Sequence, residues 1–306
     1  MSDRPRPDRK AGCPILVTGG TGQLASALAG AGRSDVRWVG RPDFDFDQPA
    51  TVEATFRAVA PRLVINAAAY TAVDAAESDA EAAYRINRDG PAMLARLCAA
   101  ADIPLIHIST DYVFDGAKTG PYVESDKVAP QGVYGASKLA GEQAVMATGA
   151  KAMILRTAWV YAATGKNFVR TILAVAKTRT SLTVVADQYG CPTTATDLGA
   201  AILAVADRLD HTGWRPEYRG IFHAAGSGAT TWHGLAVATF EEAARHGASV
   251  PEVVPIAAAD WPTPAKRPAN SRLDCTRLRE VFDVTLPEWR PSLTRTIDAI
   301  FASAPP

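Results

Sequence analysis

A short apolar run that ends in consecutive glycines constrains the fold of this chain more than any other feature. The segment "ILVTGGTGQLASALAG" predicts a strand, a tight loop and a helix. Gly19 permits the turn, Gly22 lets the backbone approach a pyrophosphate, and Ala25 is small enough for helix–strand packing. Gln23 and Leu24 begin the helix, whose free N–H groups favour phosphate. The pattern predicts a dinucleotide site; the alternative is a glycine-rich turn without ligand.

Strand and helix patterns alternate through the first half of the chain. Strands are predicted at "DVRWVG", "RLVINAAAY", "PLIHIST" and "AMILRTAWVY". They are continuous apolar runs, as in parallel sheets that helices cover on both faces. The long helix "DAEAAYRINRDGPAMLARLCAAADI" carries a potential interruption near Gly90–Pro91. The fold class is therefore α/β: a doubly wound parallel Rossmann sheet with a smaller C-terminal α/β substrate lobe.

The predicted domain boundaries lie where the regular alternation of strands and helices ends. Residues 1–13 are polar and proline-rich and predict a disordered lead-in. Residues 14–160, with a return segment around 185–222, predict the dinucleotide-binding domain. Residues 161–184 and 223–306 predict the substrate lobe.

Composition excludes several classes of protein. Of 306 residues, 32 are basic and 32 acidic, so no overall field attracts nucleic acid or an anionic membrane. No apolar run approaches the roughly 20 residues that cross a bilayer. The four cysteines lie far apart, which argues against a zinc ribbon or disulfide framework and favours the cytoplasm.

The end of the second predicted strand bears on cofactor choice. An acidic residue there would bind a ribose 2′-hydroxyl, whereas Arg41 could accept a 2′-phosphate. NADPH is therefore favoured, with NADH possible and a merely solvated Arg41 as the alternative. Asp45 and Phe46 are candidate adenine contacts, and Ala67–Ala69 could line the nicotinamide-side ribose.

A Y-x-x-x-K pair places Tyr134 and Lys138 on one face of a predicted helix. An ammonium beside a phenol would lower the pKa of Tyr134, which suits a proton donor in carbonyl reduction. Lys138 could also bind the nicotinamide ribose. The strand "IHIST" ends at Thr110, whose hydroxyl could bond the phenol or the substrate carbonyl. The glycine-rich loop, this hydroxyl and the Y-x-x-x-K helix resemble the extended short-chain dehydrogenase/reductase superfamily.

A closer resemblance covers almost the whole chain. The segments "VINAAAYTAVDAAES", "HISTDYVFDG", "YGASKLAGE", "LRTAWVY", "NFVRTIL", "DQYGCPT" and "RPANSRLD" are similar to dTDP-4-dehydrorhamnose reductases. The resemblance implies NAD(P)H-dependent reduction of the C4 ketone of a dTDP-4-keto-6-deoxy-L-sugar to dTDP-L-rhamnose, for cell-surface polysaccharide. It implies that Tyr134 donates the proton with help from Lys138 and Thr110. The implied substrate contacts are Thr110, Asp111, Trp159, Asn167, Arg267 and Asn270.

Several alternatives stay open at this level. Trp159 could be core packing, and Lys266 and Arg267 could be solvated loop charges rather than diphosphate ligands. The product could be another 6-deoxysugar such as 6-deoxy-L-talose, or the chain could be a non-catalytic regulatory subunit that binds nucleotide.

Metal content and oligomeric state are less defined. Some members of the family dimerise around magnesium held by glutamates, but Ala27 and Thr196 stand where the acids would be, beside Asp197. No metal is expected, and the chain is expected to be a monomer or homodimer.

Overall fold

A six-stranded, all-parallel sheet forms the centre of the molecule. The computed structural model describes residues 12–303. The sheet order is β2-β1-β3-β4-β5-β10, and each pairing in it is parallel. These strands are β1 (Ile15–Thr18), β2 (Val36–Val39), β3 (Leu63–Asn66), β4 (Leu105–Thr110), β5 (Ala152–Thr157) and β10 (Gly220–His223). The doubly wound fold predicted from the sequence is confirmed.

Helices cover both faces of this sheet and explain why its strands lack polar alternation. Alternate residues of β1 enter two separate cores, Ile15 and Val17 on one face and Leu16 on the other. The larger helices are α1 (Gln23–Ala29), α2 (Pro49–Val59), α5 (Gly90–Ala100), α6 (Val133–Ala147), α7 (Phe168–Val175), α8 (Ala195–Thr212), α9 (Trp232–Ala244), α10 (Thr276–Phe282) and α11 (Trp289–Ala302). Helices α1, α8 and α10 cover the first face; α2, α5 and α6 cover the second.

Smaller strand groups follow the fifth strand of the sheet. Strand β7 (Ser181–Val185) pairs in parallel with β12 (Glu252–Ile256). Strand β8 (Tyr189–Gly190) pairs with β11 (Thr230–Thr231) and β13 (Asn270–Ser271), and β6 (Val160–Tyr161) pairs with β9 (Thr193–Thr194). Apolar side chains of α7, α9 and α11 form cores beside these strands.

The predicted domain boundaries remain a proposal. The return segment contains α8, which packs on α1, and most of β10, which pairs with β5. Helix α10 packs on β10, so we assign it to the sheet rather than to the smaller lobe. The predicted lead-in lies outside the described residues except for Gly12 and Cys13. Within residues 12–303 no helix has the length and apolar character needed to span a membrane.

The long helix predicted over residues 79–103 continues from residue 80 to residue 100, and its only irregular turn ends directly before Gly90–Pro91, where an interruption was expected. Two short helices, α3 (Val73–Ala76) and α4 (Ala80–Tyr84), lead into a π-helical turn at Arg85–Asp89, which passes into α5. Pro91 has no N–H with which to bond the carbonyl of Asn87, which an unbroken α-helix would require. The proline therefore accounts for the local change of helix type.

Helix α6 makes backbone-level contacts through its glycines. A Cβ on Gly141 would lie 1.9 Å from the carbonyl oxygen of Asn87, and one on Gly135 would lie 2.2 Å from that of Tyr112. Each neighbouring atom is main chain and cannot move aside cheaply. The two glycines thus set how closely α6 approaches the π-helical turn and the end of β4.

We expect Gly141→Ala to destabilise the protein, because the added methyl group overpacks a backbone contact. The expected loss is about 1–3 kcal/mol in the free energy of unfolding, measured as a lower midpoint in thermal or urea unfolding. Gly120→Ala is the matched control, since a Cβ at Gly120 meets nothing within 4 Å. Equal stability of the two variants would contradict this account of α6 packing.

Candidate active site

The glycine-rich loop rests on the ends of two neighbouring strands. Gly19 and Gly20 have φ of +110° and +53°, in the region that favours glycine. A Cβ on Gly19 would lie 3.0 Å from the carbonyl carbon of Ala67, and one on Gly40 would lie 2.4 Å from Cα of Gly20. The absence of side chains therefore lets three backbone segments pack together at the carboxyl edge of the sheet, and we call this group of glycines the cradle.

Two of these glycines, Gly20 and Gly40, were not among the predicted site residues. The amide of Gly20 donates to the carbonyl of Val39 at 2.9 Å, so the loop is tied to the end of β2. The sequence signals for these two residues were that Gly20 directly follows the motif glycine Gly19 and that Gly40 ends the strand segment "RWVG".

The first residues of α1 differ in their exposure to solvent. Gly22 is exposed and is the N-cap, with no side chain capping the helix. Leu24 is buried in the core, so only its backbone faces the loop. The Gln23 side chain accepts a hydrogen bond from Nδ2 of Asn167 at 2.9 Å. These residues fit a dinucleotide phosphate through backbone groups and the open surface at Gly22.

Residues after β2 divide between surface and core. Arg41 is exposed directly after the strand. Asp45 accepts the amide of Asp47 at 3.0 Å and thereby holds a turn. Phe46 is buried, and a Cβ on Gly90 would lie 2.3 Å from its ring. The Phe46 ring packs against the start of α5, and its contact with adenine stays a prediction.

The segment after β3 is held by polar groups of the sheet edge. The amide of Ala68 donates to Oγ1 of Thr18 at 3.3 Å and Oδ1 of Asn66 at 3.2 Å. Ala67–Ala69 thus lie beside the cradle, at the place expected for a ribose contact.

Tyr134 and Thr110 come together as the sequence predicts. Their side chains lie next to each other, and the Tyr134 ring packs edge-on against Tyr112 with centroids 5.5 Å apart. Burial raises the pKa of Tyr134 well above its ordinary value, and the neighbouring Thr110 hydroxyl offsets this only in part. The expected lowering of this pKa by Lys138 was wrong in direction for the structure described, because burial dominates.

Lys138 is buried beneath the edge of β4. Its Nζ donates to the carbonyl oxygen of Ile108 at 2.6 Å, and the residue is 2% exposed. Burial lowers the pKa of Lys138 to about 8, while the nearby Glu142 carboxylate acts in the opposite direction. The ammonium therefore titrates close to neutral pH.

Asp111 is the most unusual polar side chain of the site. Its Oδ1 accepts from Thr110 Oγ1 at 3.1 Å, and the Ser271 side chain lies close to the carboxyl. Its Oδ2 is buried without a protein partner. Burial raises the pKa of Asp111 to about 6, although both neighbouring hydroxyl groups act in the opposite direction. Ser271 was not predicted; it follows Asn270 in the "RPANS" segment.

Trp159 packs within the protein on at least one ring face. Its indole stacks on Trp232 with centroids 3.5 Å apart and planes 9° apart. A Cβ on Gly190 would lie 2.2 Å from the Trp159 ring. Its φ of +50° is uncommon for a bulky residue, and the amide of Thr193 holds its carbonyl at 3.2 Å. This arrangement agrees with the packing alternative rather than with an open face for a sugar.

The two predicted asparagine ligands have structural hydrogen bonds. Asn167 caps α7 by accepting the amide of Arg170 at 3.1 Å, while its Nδ2 binds Gln23 and Ala162. Asn270 donates to the carbonyls of Lys118 and Gly120 at 2.7 and 2.8 Å and accepts from Arg272. Both amide groups therefore bind protein partners in the structure described, and direct substrate contacts by these two residues stay a prediction.

Arg267 bridges the "RPANS" segment to the sheet side. Its Nη2 pairs with Asp74 at 2.7 Å, and its guanidinium lies near the hydroxyl of Tyr112, which packs against Tyr134. Lys266 donates to Gln131 at 3.3 Å. Both basic groups lie next to elements that carry the site, and Arg267 is half-buried.

The surface considered for a bridging metal does not fit one. Ala27 lacks a ligand atom in its side chain, and Asp197 pairs with Arg295 at 3.0 Å. A guanidinium beside the carboxylate disfavours a divalent cation. Within the part of the chain that the structure describes, no cluster of three His, Cys, Asp or Glu residues could hold a metal.

Asn87 is a buried residue that supports the site from the π-helical turn. Its Oδ1 accepts the amide of Tyr70 at 2.8 Å, and its Nδ2 donates to the carbonyl of Tyr70 and to Ser137. It thereby joins the segment after β3 to α6. The sequence signal was only a polar residue within an apolar helix pattern.

Comparisons with known proteins match nearly the whole chain. The family model described as "RmlD substrate binding domain" matches residues 13–301. A dTDP-4-dehydrorhamnose reductase of Sinorhizobium fredii is 46% identical, covering 94% of this chain and 97% of that protein. One from Escherichia coli is 41% identical, covering 94% and 98%.

Solved structures agree with the sequence comparisons. A dTDP-4-dehydrorhamnose reductase structure from Clostridium acetobutylicum has a TM-score of 0.85 and 38% identity, covering 93% of this chain and 98% of that chain. One from Bacillus anthracis, in complex with NADP, has a TM-score of 0.84 and 33% identity, covering 93% and 98%.

We expect kcat/KM for carbonyl reduction to fall as pH rises through about 8, the pKa to which burial lowers Lys138. The sign follows because the cationic form is lost above that pKa, and kcat/KM reports groups of the free enzyme. Steady-state rates from pH 6 to 10 would measure this alkaline limb, which is the fall of kcat/KM above the pKa. In Lys138→Arg, which keeps its charge, the limb should disappear; an unchanged limb would assign the titration to another group.

Proposed function

The chain belongs to the dTDP-4-dehydrorhamnose reductase family, and from this premise we propose that it reduces the C4 ketone of a dTDP-4-keto-6-deoxy-L-sugar to dTDP-L-rhamnose. The observation that carries the proposal is the convergence of Thr110, Tyr134 and Lys138 at the sheet edge that also holds the glycine cradle. Ligands of doubly wound sheets bind at this edge.

The cofactor we assign is NADPH, with NADH possible. The cradle at Gly19, Gly20 and Gly40 suits a pyrophosphate, and the exposed guanidinium of Arg41 suits a 2′-phosphate. The relative from Bacillus anthracis, crystallised with NADP, supports this choice. When bound, the reduced nicotinamide supplies the hydride that reaches the carbonyl carbon.

The protein's own groups then manage the proton and its charge. The raised pKa of Tyr134 keeps its phenol protonated, so the hydroxyl is able to donate a proton to the carbonyl oxygen. Thr110 lies beside this phenol, and its hydroxyl, which donates to Asp111 in the structure described, would turn toward the phenolate to stabilise the charge that forms on it. Lys138 places a cation beneath the site at and below neutral pH and orients the cofactor ribose. The three residues act as donor, stabiliser and electrostatic support.

The substrate half involves the residues next to this trio. We propose that Asp111 contacts the sugar and that Arg267, with Lys266, attracts the diphosphate, since both bases border the site. Asn167 and Asn270 would then act through the shape of the lobe, because their amides bind protein groups. Trp159 would contribute an edge of its indole rather than a free face.

The cellular setting is proposed from composition. We infer a cytoplasmic enzyme whose partner is a small nucleotide sugar, without nucleic acid or membrane attachment, and which is a monomer or homodimer. The Asp197–Arg295 ion pair occupies the carboxylate nearest to the position of a bridging metal, so we propose that a homodimer would form without one.

The direct experiment is NADPH oxidation with the 4-keto-L-sugar made by the preceding epimerase. Consumption of NADPH with dTDP-L-rhamnose as the product, identified by NMR, is the expected result. A product with the opposite C4 configuration would identify a 6-deoxy-L-talose reductase instead. No oxidation, where a characterised reductase is active, would reject the proposed function.

For the proton donor, Tyr134→Phe removes only the hydroxyl, so kcat should fall by about 10²–10⁴, the usual contribution of a general acid. The dissociation constant for NADPH, from fluorescence titration, should change little. A kcat reduced less than about tenfold would contradict the role given to Tyr134.

For cofactor choice, Arg41→Ala removes a cation that is free to bind a 2′-phosphate. A charge-assisted hydrogen bond contributes about 1.5–3 kcal/mol, so KM for NADPH should rise roughly 10- to 100-fold while KM for NADH stays nearly constant. Arg37→Ala, on the same strand but before its end, is the control. An equal rise with both cofactors would argue against 2′-phosphate recognition by Arg41.

A further inference from the structure

A buried ion pair lies one helical turn beyond Lys138. Glu142 of α6 and Arg156 of β5 are 2% and 1% exposed. The guanidinium binds the carboxylate twice, through Nε to Oε1 at 2.9 Å and Nη2 to Oε2 at 2.6 Å. The hydroxyl of Ser109 donates to the same Oε1 at 2.5 Å. One carboxylate thus joins a helix to two neighbouring strands.

The strand register places this carboxylate next to the reacting groups. Ser109 pairs with Arg156 across β4 and β5, and Thr110 pairs with Thr157 one position further. Lys138 stands four residues before Glu142 on α6 and donates to Ile108 on β4. A shift of α6 relative to β4 would therefore move the Lys138 ammonium and the Thr110 hydroxyl together.

Stability alone explains this arrangement poorly. Burying two charges costs desolvation that their attraction often only balances, and apolar residues of similar size frequently stabilise as well or better. Nη1 of Arg156 is buried without a protein partner, which adds to the cost. Its guanidinium also lies 5.0 Å from the ring centroid of Phe114, which follows the Asp111–Val113 turn.

We propose that Glu142, Arg156 and Ser109 form a positioning unit that holds α6 in register with β4 and maintains the positive charge of Lys138. This inference rests on the proposed reductase function. The Glu142 carboxylate attracts the ammonium, and Arg156 and Ser109 fix the carboxylate where it can do so.

The other groups that face Lys138 leave Glu142 as its main electrostatic partner. Tyr134 on α6 and His107 on β4 are neutral at pH 7, because burial raises the pKa of the first and lowers that of the second. The turn after β4, which also packs against α6, carries the buried carboxyl of Asp111 beside Thr110. Other charged side chains near α6 are paired closer to the surface: Arg85 with Asp47 and Glu81, Arg88 with Asp89, and Asp74 with Arg267.

Three variants separate charge from position. Glu142→Gln leaves Arg156 uncompensated, so the alkaline limb of kcat/KM should move to lower pH by about half a unit or more. The double variant Glu142→Met with Arg156→Met removes both charges and should fold even if the single variant does not. Its alkaline limb should also move to lower pH, and its kcat should fall at least about tenfold. Ser109→Ala keeps both charges, so kcat should fall a few-fold with the limb in place.

The matched control is Arg62→Met. Arg62 pairs with Asp35 and Asp210 at 2.7 and 2.8 Å before the start of β3, at the opposite edge of the sheet. It should lower the melting temperature without changing the limb or the ratio of kcat to KM. If the double variant keeps both kcat and the limb of the unmodified enzyme, the unit is structural and the proposal is overturned.

A binding measurement distinguishes this failure from failure of the proposed function. The dissociation constant for NADPH, measured by fluorescence from pH 6 to 10, should rise as Lys138 loses its proton. In Glu142→Gln and in the double variant, this rise should begin at a lower pH. That shift would support the positioning unit even if no 4-keto sugar were reduced. An identical pH dependence in the unmodified protein and the double variant would overturn it.

Discussion

The docking of α6 against the central sheet is the constraint on which the rest of the structure depends. Gly135 and Gly141 bring its backbone against the carbonyls of Tyr112 and Asn87, where a methyl group would collide. The buried Glu142 then ties the same helix to β4 and β5. With its distance and register set at several points, α6 has little freedom to rotate. Tyr134 and Lys138 are therefore presented to the strand ends in a single orientation.

Burial explains the electrostatics of the site. It raises the pKa of Tyr134 and lowers that of Lys138, because in each case the charged form loses water. The same effect raises the pKa of Asp111. A phenol that retains its proton suits a reductase, whose acid must give that proton to a developing alkoxide. The neighbouring Thr110 hydroxyl moderates the rise in the pKa of Tyr134, so it is placed to support the phenolate left after proton transfer.

Residues whose role depends on their sequence neighbours could be predicted from the sequence. Residues whose role depends on contacts with distant parts of the chain were harder to predict. Gly19 follows from a turn that only a few neighbouring residues define, and the apolar strands follow from burial on both faces. Phe46 is different, because an aromatic residue after β2 could face a ligand or the core, and only the proximity of Gly90 places it inside. Asn270 likewise could bind substrate, but the carbonyls of a loop some 150 positions away occupy its amide.

The nucleotide-binding α/β class, the order of the strands along the chain and the spacing of Tyr134 and Lys138 all follow from the amino-acid sequence, because each depends on short-range pattern. Only the packing of the whole chain settles which polar side chains face the site and which hydrogen-bond other groups inside the protein. It also reversed the expected direction of the Tyr134 pKa, since desolvation depends on everything packed around the phenol. Spacing specifies which groups can meet, whereas their proton affinities depend on the surroundings that the whole chain builds.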